Sequence, residues 1–255
     1  MNEKQREEDG VNGVPCKDCP LRALELFVPH SEDELSLIQG LRRGQSDFPA
    51  GHTLIHEGQT DALLYTLWAG WAFRFKTLSD GRRQILNFLL PGDFIGMQQK
   101  MSDALSHGVE TLTDVRVCVF PRESLWELHR AQPRMGFNLT WLVSREESLV
   151  DDNLLSVGRR TAEERIAALL ILLFKRGAAM LPDAGAGGVP FPLTQQHIAD
   201  ALGLSLVHTN KTLRKLELRG LHRIENKLLF LRDSKALART ADIYGDGKPT
   251  PRPLI

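Results

Sequence analysis

Cysteine is scarce in this chain, with three residues, Cys16, Cys19 and Cys118, among 255. So small and odd a number excludes the disulfide framework of a small secreted domain, and the thiols need another explanation. Net charge is missing too, 32 Lys and Arg standing against 32 Asp and Glu, which argues against a protein coated all over in basic charge. No apolar run approaches the roughly 20 residues that cross a bilayer. The polar start MNEKQREEDG lacks the apolar stretch of a secretory signal, so a cytoplasmic protein without membrane attachment is expected. What is present is an ordinary globular composition, 42% hydrophobic and 25% charged. The length suits two domains joined by a connecting element.

The charge is unevenly spread. Residues 159–233 carry 12 Lys and Arg against 7 Asp and Glu, a net +5, so the remainder carries −5. A late basic excess points toward nucleic acid.

Between Phe48 and Pro121 short β-prone runs alternate with turn signals. The runs are Thr53 to His56, Leu64 to Leu67, Trp71 to Phe75, Gln84 to Phe88 and Val115 to Phe120, punctuated by Gly51, Gly58, Gly70, Ser79-Asp80-Gly81 and Pro91-Gly92-Asp93. Short strands at this spacing predict an antiparallel barrel or jelly roll, which needs about eight of them. The polar first ~15 residues read as a mobile terminus, and Lys235 to Ile255, rich in Gly and Pro, as a loose tail.

After Phe120 the pattern turns helical: a short helix around Arg122 to Arg130, a break at Pro133, then a long stretch from Arg134 to Val157. Leu139, Leu142, Glu146, Leu149 and Asn153 fall at alternating steps of three and four, flanked by Trp141, Val143, Val150 and Leu154, an imperfect coiled-coil seam. Two readings stay open, a helix packed on its own barrel and a dimer interface. Thr161 to Gly177 is another amphipathic helix, with Ile166, Leu169, Leu170, Leu173 and Phe174 on one face. Leu181 to Val189, rich in Gly and Ala, reads as a loop.

The most specific signal runs from Leu193 to Leu231. Thr194 caps a first helix, Gly203 makes a tight turn, Ser205 caps a second helix, and Gly220 ends it, a helix-turn-helix with a local cause at each boundary. Ile198, Leu202, Leu204, Leu213 and Leu216 close its small core around Ala199. On the second helix Val207, Asn210, Lys211 and Arg214 share a face free to enter a major groove. Lys211 suits guanine O6/N7, Asn210 adenine and Val207 a thymine methyl, while Ser205 and the helix N-terminus suit a phosphate. His208 reaches a base edge or phosphate, and Thr194 and Gln195 complete the expected contact set. Leu221 to Ile224 and Leu228 to Leu231, around Glu225-Asn226-Lys227, form a β-hairpin wing, with Arg223 or Lys227 placed for a phosphate.

With Gly92-Asp93-Phe94-Ile95-Gly96, a long helix, Thr161-Ala-Glu-Glu-Arg-Ile166 and the helix-turn-helix in this order, the chain resembles the Crp/Fnr family of transcription regulators across nearly its whole length. The resemblance implies an α+β protein. It would comprise an N-terminal segment with the cysteine pair (1–20), a sensor barrel of the double-stranded β-helix or jelly-roll type (21–132), a dimerisation helix (133–158), a winged helix-turn-helix (159–233) and a flexible tail (234–255). It further implies a homodimer on a palindromic promoter site, with RNA polymerase as a further partner. The dimer seam is then expected at Leu139, Leu142, Glu146, Leu149, Val150 and Asn153.

The effector is less defined. Cyclic-nucleotide binders of the family place Glu after the Gly-Asp-Phe-Ile-Gly motif and Arg-Ser some ten residues on, for the ribose and the phosphate. Here Met97 takes the first position and no Arg occurs from Met97 to Thr113, which includes Ser106-His107-Gly108, so cyclic AMP is not expected. The oxygen-sensing branch holds a [4Fe-4S] cluster on cysteines. Cys16, Cys19 and Cys118 match three of those positions, and Glu25 stands at the fourth. A cluster or metal, a thiol redox switch and no cysteine role all remain open. The recognition helix also departs from the family, Leu206 and Val207 replacing a polar pair. Competing readings are a cupin-like metal enzyme, for which His52, His56 and Glu57 lack partners on a second strand, a DNA-binding protein without effector, and haem on His30, His107 or His129.

Overall fold

The structure is a computed structural model describing residues 13–98, 104–181, 187–243 and 250–255. Most of the expected mobile N-terminus, much of the Gly/Ala loop after Leu181 and the Gly/Pro stretch 244–249 lie outside the described residues. Two compact units emerge, one of Met1–Arg74, Leu89–Glu147 and Pro251–Ile255, the other of Phe75–Phe88 and Ser148–Thr250.

The first unit opens with 3₁₀ turns at Cys16–Asp18 and Pro20–Ala23, then α1 (Glu32–Leu41). Strands β1 (Gly44–Phe48), β2 (Thr53–Ile55), β3 (Leu64–Ala69), β4 (Ala72–Thr77), β5 (Arg83–Leu89), β6 (Phe94–Ile95), β7 (Gly108–Thr111) and β8 (Val115–Phe120) follow. They form two four-stranded sheets, ordered β1-β8-β3-β6 and β2-β7-β4-β5, the jelly-roll arrangement expected. Period-two alternation then sorts β8: Val115, Val117 and Val119 join the inner core with Leu54, Ile55, Leu67 and Val109, while Cys118 and Phe120 join an outer cluster. Three strands escaped the sequence reading. β1 is mostly polar, and β6 and β7 are very short. α1 escaped too, although Ser31 and Glu34 form a capping box, with Glu34 N–H donating to Ser31 Oγ and Ser31 N–H to Glu34 Oε2.

After α2 (Ser124–Ala131) comes α3 (Pro133–Arg159), one uninterrupted helix whose proline sits at the first turn, where no N–H is needed. Most of the expected dimer seam faces the chain's own interior rather than outward. Leu139 and Leu142 are each 3% exposed and pack into the outer cluster with Phe120, Leu128 and Ile255 of the same chain. Glu146 is buried against Arg74 at 3.0 Å, Leu149 is half-buried, and Asn153 Nδ2 donates to the Leu86 carbonyl. Of that set only Val150 is exposed. The large apolar residues of α3 that face outward are Phe137, Val143, Val150, Leu154 and Leu155. The helix has two apolar stripes, and the leucine-rich one, which gains more by leaving water, is taken by its own barrel.

The second unit holds α4 (Ala162–Ala178), β9 (Val189–Pro190), α5 (Gln195–Leu202), α6 (Leu206–Leu218), β10 (His222–Glu225), β11 (Leu228–Leu231) and α7 (Ser234–Thr240). Val189, expected in a loop, instead begins a strand that pairs with β11, completing a three-stranded sheet of order β10-β11-β9.

The tail is not loose where it is described. α7 is capped by Asp233, whose side chain accepts from Ala236 N–H at 2.8 Å. Arg252, Leu254 and Ile255 are 3%, 2% and 4% exposed. Residue 252 makes a parallel bridge with Phe27, Val28 N–H donating to its carbonyl and its own N–H donating to Leu26. Gly and Pro read as loop in sequence because the partners of this segment are remote, from Asp93, 159 positions before Arg252, to Arg22, 232 positions before Leu254.

These faces predict opposite outcomes for adjacent substitutions. Leu142→Ala should lower stability by about 2–5 kcal/mol in denaturant titration. Val143→Ala, at an exposed position, should stay within about 0.5 kcal/mol in a monomeric sample.

Candidate nucleic-acid interface and thiol cluster

The helix-turn-helix is built locally. Thr194 Oγ1 accepts from His197 N–H and Ser205 Oγ from His208 N–H, each at 3.2 Å, so each helix begins at a side-chain cap. Between them Gly203 takes the left-handed conformation, φ 62°, which a residue with a Cβ adopts at a cost. Ile198, Ala199, Leu202, Leu213 and Leu216 are buried, with Leu204 half-buried. α6 is two-faced: Thr209, Thr212, Leu213 and Leu216 point inward, while Val207, Asn210, Lys211 and Arg214 are all exposed. Thr194, Gln195, Ser205 and His208 lie exposed at the two helix starts. Lys215 and Arg219 are held elsewhere, both on Glu163 of α4.

After Gly220, β10 and β11 are joined by a turn with Asn226 and Lys227 both at positive φ, 51° and 58°, the primed geometry that suits a two-residue hairpin. Arg223 and Lys227 are exposed, Arg223 within 2.6 Å of Glu225. Within this same unit, which includes Phe75–Phe88, Arg83 lies 3.2 Å from Asp200 and Gln84 donates to the Ala201 carbonyl.

In the first unit two of the three cysteines share one apolar cluster. Cys16 is 7% and Cys118 8% exposed, and Cys19 is half-exposed. Cross-strand pairing makes a row Gln45, Cys118, Thr66, Phe94. Gln45 Nε2 reaches the Cys118 sulfur at 3.6 Å and an Arg42 N–H reaches it at 3.9 Å. Arg22 donates from Nε to the Cys16 carbonyl, at 3.0 Å, and to Leu254. Burial pushes the Cys16 thiol above its ordinary value, against the pull of Arg42 and Arg22, and Cys118 and Cys19 push it further up.

Residues 45–132 match the cyclic nucleotide-binding domain family and residues 164–240 the Crp-like helix-turn-helix domain. The chain is 31% identical to the transcriptional activator protein FnrL of Cereibacter sphaeroides over 235 residues, 91% of this chain and 94% of the relative. It is 32% identical to the nitrogen fixation regulation protein FixK of Bradyrhizobium diazoefficiens, over 82% of this chain and 86% of the relative. The solved structure of FixK2 from Bradyrhizobium japonicum superposes with a TM-score of 0.70 at 26% identity, covering 80% of this chain and 98% of that one. The chain belongs to the Crp/Fnr family. It is a DNA-binding transcription regulator, in agreement with the order of motifs in its sequence.

Two groups that family members hold can be tested against this Crp/Fnr regulator's residues. For a cyclic nucleotide they do not fit. Met97 packs against the outer apolar cluster, and Asp93 is committed to the protein, accepting from Leu90 N–H at 2.8 Å and pairing with Arg145 and Arg252. For a four-thiolate iron–sulfur cluster they do not fit either. Glu25 is exposed, and no group of three or more His, Cys, Asp or Glu among the described residues is arranged to hold a metal ion. No helix among the described residues is long and apolar enough to cross a membrane.

The histidines proposed for haem have other settings. His107 is 3% exposed, and the His129 ring lies against Gly136. His52 stacks on Phe48, and His56 and Glu57 are exposed. His30 Nδ1 lies 3.0 Å from an Arg22 N–H, which requires a neutral ring to accept the bond. Burial, then Arg22, lowers its pKa to about 4 from the ordinary 6.5. Below pH 6.5 the unfolded chain takes up a proton that the folded chain refuses until about pH 4, so this group's contribution to stability falls as pH drops through that window. The stability difference between wild type and His30→Gln should therefore shrink as pH is lowered from 7 to 4. A difference constant across that range would contradict the assignment.

Proposed function

We propose that this regulator binds a two-fold symmetric promoter site as a homodimer, one half-site per subunit. α6 would lie in the major groove, and the outward face of α3 would form the subunit seam. The observation that carries the DNA-reading assignment is the division of α6, with Val207, Asn210, Lys211 and Arg214 exposed together while its other face closes the domain core. Lys211 donates to guanine, Asn210 pairs with adenine and Val207 meets a thymine methyl. Ser205, His208, Arg214 and the first turn of α5, Thr194 and Gln195, together with Lys227 of the wing, position the domain on phosphates. Half-sites one helical turn apart, about 34 Å, fit a dimer of this kind.

The seam is proposed at positions 136, 140, 143, 147, 150 and 154, an alternating four-three spacing that carries Val143, Val150 and Leu154 with Phe137 beside them. The signal is of the redox type, acting through thiols rather than a cyclic nucleotide, and the relatives' description as activators supports RNA polymerase as a partner. Such a protein acts in the cytoplasm and is not an enzyme.

Lys211→Ala should cost about 1–3 kcal/mol on the preferred operator and relax the preference at one base pair, measured by anisotropy titration on a panel of single-base variants. Uniform weakening across the panel would make Lys211 a phosphate contact instead. Leu154→Asp, and Val150→Asp with it, should turn the dimer into a monomer in sedimentation and abolish tight operator binding, while the barrel's thermal transition is kept. A sedimentation profile identical to wild type would remove this face from the interface.

A further inference from the structure

The docked segment 251–255 lies on the same face as the buried thiols. Thr66 Oγ1 donates to the Ile255 carbonyl, and Thr66 is the direct cross-strand neighbour of Cys118. Adjacent positions of a cross-strand row point to one side of the sheet, so Ile255 sits beside the Cys118 sulfur, and both belong to the outer cluster with Cys16. Arg22 ties the adjoining residue to the second buried thiol's backbone, since one guanidinium donates to the carbonyls of both Cys16 and Leu254. The segment is anchored some distance along by Arg252, which pairs with buried Asp93, donates to the Pro91 carbonyl and lies over the Phe27 ring. None of these anchors is a cysteine, so docking can be altered without touching a thiol.

We propose that residues 251–255 are a lid over Cys16 and Cys118, and that these thiols form a thiol–disulfide exchange site for low-molecular-weight disulfides, opened when the lid undocks. In the exchange the cysteine sulfur, as thiolate, attacks one sulfur of the small disulfide. The disulfide bond breaks, a protein mixed disulfide forms, and the other half leaves as a thiolate that takes up the proton the cysteine lost. No further oxidant is required. Because docking and modification compete for one place, the coupling is reciprocal: an undocked lid exposes the thiols, and a modified thiol keeps the lid off. This inference stands without the DNA-binding reading above.

The test is the rate at which each cysteine of the full chain reacts with Ellman's reagent, an aromatic disulfide, resolved by mass spectrometry. In the wild type half-exposed Cys19 should react first and Cys16 and Cys118 slowly, through local opening. Arg252→Ala and, as the conservative second variant, Thr66→Val should each speed Cys16 and Cys118 by roughly tenfold or more with little change at Cys19. Leu54→Ala, in the inner core cluster, serves as a control for general loosening and should not reproduce this selectivity. Rates unchanged in both lid variants, or raised equally by Leu54→Ala, would overturn the proposal. So would unchanged hydrogen exchange across residues 250–255 after the thiols are modified, since reciprocity demands an increase.

Discussion

The first unit depends on one buried carboxylate. Asp93 is 2% exposed and lies in the tight turn between β5 and β6, where its side chain accepts from Leu90 N–H and its charge is met by Arg145 of α3 and Arg252 of the C-terminal segment. Arg145 lies 3.6 Å from Glu146, and Glu146 pairs with Arg74 on β4. Five charges, three positive and two negative, thus link a turn, a strand, the long helix and the last residues of the chain. Burying such groups costs several kcal/mol each unless every one is met, so the network contributes less to stability than to fixing which elements come together. It also gives the Gly92-Asp93-Phe94-Ile95-Gly96 segment a structural role in a barrel whose residues do not suit a cyclic nucleotide. Gly92 is at φ 84° with the Phe27 ring so close that a Cβ would meet it at 2.3 Å, so the turn serves packing of the chain's own segments.

α3 shows what periodicity can and cannot give. Its length, its proline start and its heptad-like spacing were all legible. Which of two stripes faces the barrel was not, because Leu139, Leu142 and Leu149 make a better seam on paper than Val143, Val150 and Leu154. The better stripe is also the one the barrel buries. The deciding residue is Glu146, whose partner Arg74 lies 72 positions away, and no local pattern announces that pair.

The helix-turn-helix was legible almost to the residue because each of its boundaries has a cause within four positions: Thr194, Gly203, Ser205 and Gly220 act on their own neighbours. The barrel was legible as a class but not strand by strand, since β1 owes its place to pairing with β8 rather than to its own polar sequence. The tail was the largest misreading. Pro251 and Pro253 bracket Arg252, and a proline-bracketed arginine reads as linker until the buried Asp93 that receives it is known. The cysteines sit between these cases. Their spacing named a family site, but the groups at the Cys118 sulfur are Arg42, which caps the end of α1, and Gln45 of β1, and only the fold brings them there.

The DNA-reading face carries its own consequence for specificity. Leu206 and Val207 are 46% and 66% exposed at the start of α6, the end of a recognition helix that enters the groove first. Two apolar side chains there cannot satisfy base-edge donors or acceptors, and a polar edge buried against them would lose its water without replacement. In the docking proposed for α6 they favour thymine methyl groups at those steps, and they leave hydrogen-bonded discrimination to Asn210 and Lys211, about one turn further along the helix. On the proposed docking of α6, specificity rests on a hydrophobic rejection of polar edges followed by two directional contacts, so an operator read by polar residues at the helix start is expected to be a poor substitute for its own.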